Sequence, residues 1–171
     1  KQREKIDLAL HGQYDFVAVQ ALKIGVLEEP LRHFQKRGIP VVGMDTLATT
    51  KDRLREVGVW TQIAANHFEL AQSSTRYLME KIGGKGKVIH IGGDSAHSGA
   101  QERDQGFRSV VAQYRDVEVV GGGVRWCDWK PEKARNTFES LLESSAEPIA
   151  GAFFHNDDMA LGCIPALAGT R

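Results

Sequence analysis

The stretch Ile149-Ala150-Gly151-Ala152-Phe153-Phe154-His155-Asn156-Asp157-Asp158-Met159-Ala160-Leu161-Gly162 passes from an apolar run, through polar residues, into a helical pattern. Such a run, stopped by His155-Asn156-Asp157, predicts a buried strand with polar groups at its carboxyl end. Asp158 then falls in a first helical turn, where a carboxylate faces the positive end of the helix dipole.

The same grammar recurs upstream. Short apolar runs predict strands at 15–20, 39–45, 57–64, 87–92, 117–120 and 149–154. Between them Phe68, Ala71, Thr75, Leu78 and Ile82 step by three and four, so one helical face is continuously buried, and Gly83-Gly84 ends it. Leu27, Leu31 and Phe34 repeat the spacing around Pro30, closed by Gly38. Phe107, Val110, Val111 and Tyr114 mark another helix, and Ala134, Phe138, Leu141 and Leu142, behind Pro131, a further one. Strand, helix, strand in regular order implies an α/β fold of doubly wound parallel sheets, whose ligands sit beyond the carboxyl ends of the strands. Residues 46–56 are irregular, and read either as a surface loop or as the approach to a crossing between lobes.

Composition narrows the function classes. Lys plus Arg equals Asp plus Glu at 22 each among 171 residues, with signs mixed along the chain, so a nucleic-acid surface is not indicated. No apolar run approaches the roughly 20 residues of a membrane span, and the first residues lack the apolar core of a secretory signal. Cys127 and Cys163 have no CxxC spacing and read as packing or surface residues. The six histidines form no HxxxH or HExxH pattern, so neither a metal site nor a cofactor is expected.

Chemistry concentrates where strands stop. Asp45 follows the run ending in Met44, Gly92-Gly93-Asp94 follows Ile91, and Asn156 follows Phe154-His155. Carboxylates and amides there bond well to hydroxyls, and an arginine fork reaches two oxygens. Asp and Asn at such places equally terminate strands and cap helices. Gly92-Gly93-Asp94-Ser95 lacks GxGxxG order, Ser95 and Ser98 near His97 lack a GxSxG elbow, and the side chains of Asp157 and Asp158 diverge by about 100° on a helix. No catalytic residue is assigned, and a binder is expected rather than an enzyme.

Gly38-Ile39-Pro40-Val41-Val42-Gly43-Met44-Asp45, then Arg103-Asp104-Gln105-Gly106-Phe107, then Asn156-Asp157-Asp158-Met159-Ala160-Leu161-Gly162, taken in that order, resemble the periplasmic binding protein type 1 family in its ribose and related-sugar branch. The resemblance implies two similar α/β lobes, here both incomplete, spanning 1–65 and 66–171. It implies capture of a monosaccharide or related polyol between them, a periplasmic or extracytoplasmic location, and delivery to an ABC transporter permease, with a chemoreceptor as a further partner. Asp45 and Arg103 would pair with sugar oxygens, with Asn156 beside them and Gln20 where the family often places an amide. Trp129 matches an aromatic that stacks on a sugar ring, and Asp94 lies in a loop near the ligand. The alternative is the effector domain of a lactose-repressor-type regulator. Thr46 stands where several members carry arginine, and Ala64-Ala65-Asn66-His67 where they show Asp-Asn at the first crossing, so one sugar contact and some hinge bonds are expected to differ. The family is longer at both ends, so a longer natural product is expected. Pro165 should break the last helix.

Overall fold

The computed structural model describes residues 2–169. Its chain divides into two compact units. One runs to Ala65 and takes in Ala96–Gly99; the other holds Asn66–Ser95 and the described residues from Ala100 onward. Lys1, Thr170 and Arg171, at the ends of the expected lobes, lie outside the described residues.

In the first unit, helix α1 (Gln2–Ala9) precedes strand β1 (Val17–Val19), helix α2 (Glu28–Lys36), strand β2 (Val41–Met44) and strand β3 (Val59–Ile63). The strands are parallel in the order β1-β2-β3. They are shorter than their apolar runs for local reasons. Pro40 has no N–H to give a ladder, so β2 starts at Val41; Gly58 and Asp45 adopt φ values of 90° and 55°, which end pleated pairing before β3 and after β2. Leu27 at the N-cap of α2, with Leu31 and Phe34 on it, packs with Val41, Val57 and Val59, as their spacing requires. Segment 46–56 is no plain surface loop: Thr46, Leu47, Ala48 and Thr49 are buried.

The second unit runs α3 (His67–Lys81), β4 (Lys85–Gly92), α4 (Ser98–Val111), β5 (Asp116–Val119), β6 (Arg125–Trp126), α5 (Pro131–Ser144), β7 (Ile149–Phe154) and α6 (Asp157–Cys163). The first residues of α4 group with the first unit. β4 is the hub, pairing in parallel with β5 through 85–88, with β6 through 91–92 and with β7 through 87–91. Its side chains alternate between faces. Val88 joins Ala71, Met79, Phe107, Val110 and Phe153, while Ile89 and Ile91 join Phe138, Leu141, Met159 and both cysteines. Both faces are thereby covered, as a parallel sheet requires.

Two motif glycines have a packing reason. A Cβ on Gly106 would come within 2.4 Å of the Phe68 carbonyl oxygen, so α4 passes α3 closely only with glycine there. A Cβ on Gly162 would meet the Pro131 Cβ at 2.9 Å, where α6 crosses the start of α5. α6 stops at Cys163 and a 3₁₀ turn over Ile164–Gly169 follows, the break expected around Pro165. Cys127 and Cys163 are buried and unpaired by disulfide; burial raises both thiol pKa values, that of Cys163 to about 11.

Candidate functional site

Each unit carries polar side chains at the carboxyl ends of its strands. In the first, Gln20 after β1 donates from Nε2 to Asp45 Oδ2 at 3.0 Å. The Asp45 amide donates to the Ile63 carbonyl at 2.8 Å and its carbonyl accepts from Gln62 at 3.2 Å, which holds it in the left-handed region. The Asp45 side chain remains 38% exposed. Thr46 turns inward: its hydroxyl lies 2.5 Å from His97 Nε2, and it is 1% exposed. That Nε2 is 3.8 Å from Asp45 Oδ2, and Ser98 Oγ accepts from the Leu47 amide at 3.0 Å. His97 and Ser98, which lack a catalytic elbow in the sequence, therefore pack against the Asp45–Leu47 turn. The signal available for them was only their polarity ahead of a helix.

In the second unit, Asn156 caps α6, its Oδ1 accepting from the Met159 amide at 3.2 Å. The side-chain NH₂ takes no part in that cap. Arg103 on α4 lies with its guanidinium carbon 5.7 Å from the centre of the Trp129 ring. Arg103 and Asn156 line one hollow of about 500 Å³ with Leu70, Tyr77, Phe153 and His155. A larger hollow of about 980 Å³ lies among Phe138, Leu142, Ile149, Leu161 and Ile164, and its lining is mostly hydrocarbon. Asp94 follows Gly93, whose missing Cβ leaves room for the Trp129 ring: an atom there would stand 2.3 Å from it. Asn66, the first residue of the second unit, caps α3 by accepting from the Glu69 amide at 3.1 Å.

Among the described residues the non-glycine positions at positive φ are Asp45, Asp128 and Trp129. Such conformations cost on the order of 1–3 kcal/mol each and persist where the surroundings over-determine them, typically at ligand clamps. Two of the three are expected site residues and the third adjoins one.

Behind the hollow, His90 in β4 is 1% exposed. Burial, with the neighbouring His155 and Arg108, lowers its pKa from 6.5 to about 2. Below pH 6.5 the unfolded chain binds a proton that the folded chain refuses, so folding stability is present above that pH and is lost as pH falls. The slope approaches about 1.4 kcal/mol per pH unit. Asp104, whose carboxyl burial raises against the pull of Arg108, acts in the opposite sense. Urea unfolding of wild type and His90→Gln between pH 7 and 4.5 should show the variant losing about 2 kcal/mol less. Parallel profiles would contradict a neutral buried His90.

Parallel α/β units with hydrogen-bonding and aromatic groups beyond their strand ends form a small-molecule-binding class of fold. The periplasmic binding protein domain matches residues 1–171, and the chain belongs to that family. It is 26% identical over 166 residues to the xylitol-binding protein of Mycolicibacterium smegmatis, covering 97% of this chain and 45% of that protein. It is 30% identical over 168 residues to a D-apiose import binding protein of Actinobacillus succinogenes, covering 98% and 51%. The periplasmic binding component of the arabinose ABC transporter from Shewanella sp. ANA-3, bound to L-arabinofuranose, superposes with a TM-score of 0.88 at 23% identity, over 98% of this chain and 54% of that one. The chain thus spans about half the length of the curated relatives it matches. These relatives are binding proteins, and they give the repressor-type alternative no support. Among the described residues no helix is long and apolar enough to cross a membrane.

Proposed function

We propose that this chain works in an extracytoplasmic solute-binding protein that captures a monosaccharide or related polyol for an ABC importer, without making or breaking bonds. The observation that supports it most is the set of prepared groups at strand ends. The first unit carries an Asp45 carboxylate bonded to Gln20, and the second carries Arg103 above Trp129 beside Asn156. Asp45 accepts from ligand hydroxyls, Arg103 donates to two ligand oxygens, and the Asn156 NH₂ donates to a third. The Trp129 ring covers the C–H face of the sugar and excludes water, and Asp94 adds an acceptor at the edge.

The inward turn of Thr46 removes one hydrogen-bonding group at the first unit, and His97 Nε2, which meets the Thr46 hydroxyl, lies 3.8 Å from the carboxylate. The site we read is therefore short of one ligand contact relative to the family pattern. Permease and chemoreceptor are the proposed partners.

Thermal shift of the full-length protein against pentoses, hexoses, xylitol and D-apiose tests this. A sugar at a hundred times its Kd should stabilise the protein by about 2.7 kcal/mol. If none raises the melting temperature at millimolar concentration, the reading is wrong.

A further inference from the structure

A chain of buried polar groups runs through the second unit that neither the sheet nor the proposed ligand contacts use. It begins at the Gly93 amide, which donates to His155 Nδ1 at 3.2 Å. His155 Nε2 and His90 Nε2 are 2.9 Å apart. His90 Nδ1 stands 3.9 Å from Asp104 Oδ1, and the other Asp104 oxygen accepts from the Arg108 guanidinium. His90, His155 and Asp104 are all at least nine-tenths buried, being 1%, 4% and 5% exposed.

The order of donors fixes the protons. Because the Gly93 N–H donates, His155 Nδ1 accepts and its ring proton sits on Nε2. That proton fills the contact with His90, whose Nε2 must accept and whose own proton sits on Nδ1, facing Asp104. The His90 Nδ1 and Asp104 Oδ1 atoms have no other hydrogen-bond partner, and an approach of about 1 Å joins them. An added proton on either ring breaks the chain. On His155 Nδ1 it displaces the Gly93 amide; on His90 Nε2 it sets two N–H groups against each other.

Gly93 is where this chain meets the wall beside Trp129. Its carbonyl accepts from the Cys127 amide at 3.1 Å and the Asp128 amide at 2.9 Å, at the start of the left-handed pair Asp128-Trp129. The indole lies against its Cα, and Asp94 is the next residue. The His155 ring also meets Trp126 edge-on at 5.8 Å and Trp129 at 6.3 Å between centroids.

We propose that His155 is a positioning residue for this wall, and that His90 keeps it neutral and in one tautomer, so that Gly93, Asp94 and Trp129 hold their places only while both rings are uncharged. The role assigned to the wall rests on the sugar-binding reading; the histidine chain does not. The charged groups near the pair include Asp104 and Arg108, beside His90, and Arg103, which shares the hollow with His155; all three come from α4, while Phe107, Phe153, Trp126 and Trp129 surround the pair with rings.

Imidazole nitrogen NMR of the full-length protein without sugar reads the tautomers directly. At pH 7 His155 should carry its proton on Nε2 and His90 on Nδ1, and His90 should stay neutral down to pH 5. His155→Ala should speed Gly93 amide exchange about tenfold or more, and His155→Gln, whose amide both accepts and donates, should restore most of the protection. Titrations with D-ribose and xylitol at pH 7.5 should show about tenfold weaker binding for whichever sugar binds in His155→Ala, recovering in His155→Gln. A His155 protonated on Nδ1 in the wild type, or Gly93 exchange indifferent to His155→Ala, overturns the proposal. If neither sugar binds any variant while Gly93 exchange responds, the relay stands and the sugar reading falls.

Discussion

Phe107→Ala should lower the unfolding free energy of the second unit by about 3–5 kcal/mol, a drop of roughly 10–20 °C in melting temperature. Phe107 is 1% exposed, and its ring lies 4.1 Å from that of His90 and 5.0 Å from that of Phe153. Losing the apolar burial alone accounts for about 1.5–3 kcal/mol, and the cavity and the lost ring contacts supply the remainder. Relaxation is restricted, because Gly106 beside it pins α4 against the α3 backbone. The cavity would also open beside the His90–His155 pair. Tyr77→Ala on the exposed face of α3, 61% exposed, should change stability by no more than about 0.5 kcal/mol. Chemical denaturation of both variants checks the pair; equal midpoints would mean that this core does not hold the unit.

Arg103→Ala should weaken the captured sugar by about 3 kcal/mol or more, a hundredfold or greater in Kd. Two hydrogen bonds from a charged fork are lost, each worth about 1.5–3 kcal/mol, together with the cation above Trp129. Arg103→Lys keeps the charge and loses the planar fork, so an intermediate loss of about tenfold is expected. Arg103 is only partly buried and lines an open hollow, so melting temperature without sugar should change little. Calorimetric titration separates the outcomes. An Arg103→Ala affinity equal to wild type would remove Arg103 from the site.

The fold was legible wherever a side-chain period ran long enough to be seen. Phe68 to Ile82 and Ala134 to Leu142 lie on or directly beside α3 and α5, and the runs at 87–92 and 149–154 are the two longest strands. Strand β6 is Arg125–Trp126 alone, too short for any period to show. Tyr114 lies beyond the end of α4 although it keeps the spacing, because that helix stops at Val111.

Site legibility has a different physical limit. Asp45 and Asn156 were visible as polar residues at strand ends, but a cap and a ligand contact look identical there. Asn156 is a cap by its oxygen, and Asp45 ends β2 through a left-handed turn that no residue type announces. Thr46 meets His97 and Leu47 meets Ser98 across 51 positions of sequence, and His90 meets His155 across 65. Long-range pairs of this kind leave one local trace, a polar residue inside an otherwise buried strand. His90 between Ile89 and Ile91 was that trace.

Calorimetric titration of the full-length protein with D-ribose, xylitol, D-apiose and L-arabinose, repeated on Asp45→Ala and Arg103→Ala, tests capture of a polyhydroxylated ligand most directly. Saturable one-site heat is expected for at least one of these, weakened about tenfold or more in both variants. Heat from none of them, or affinity unchanged in both variants, would contradict it.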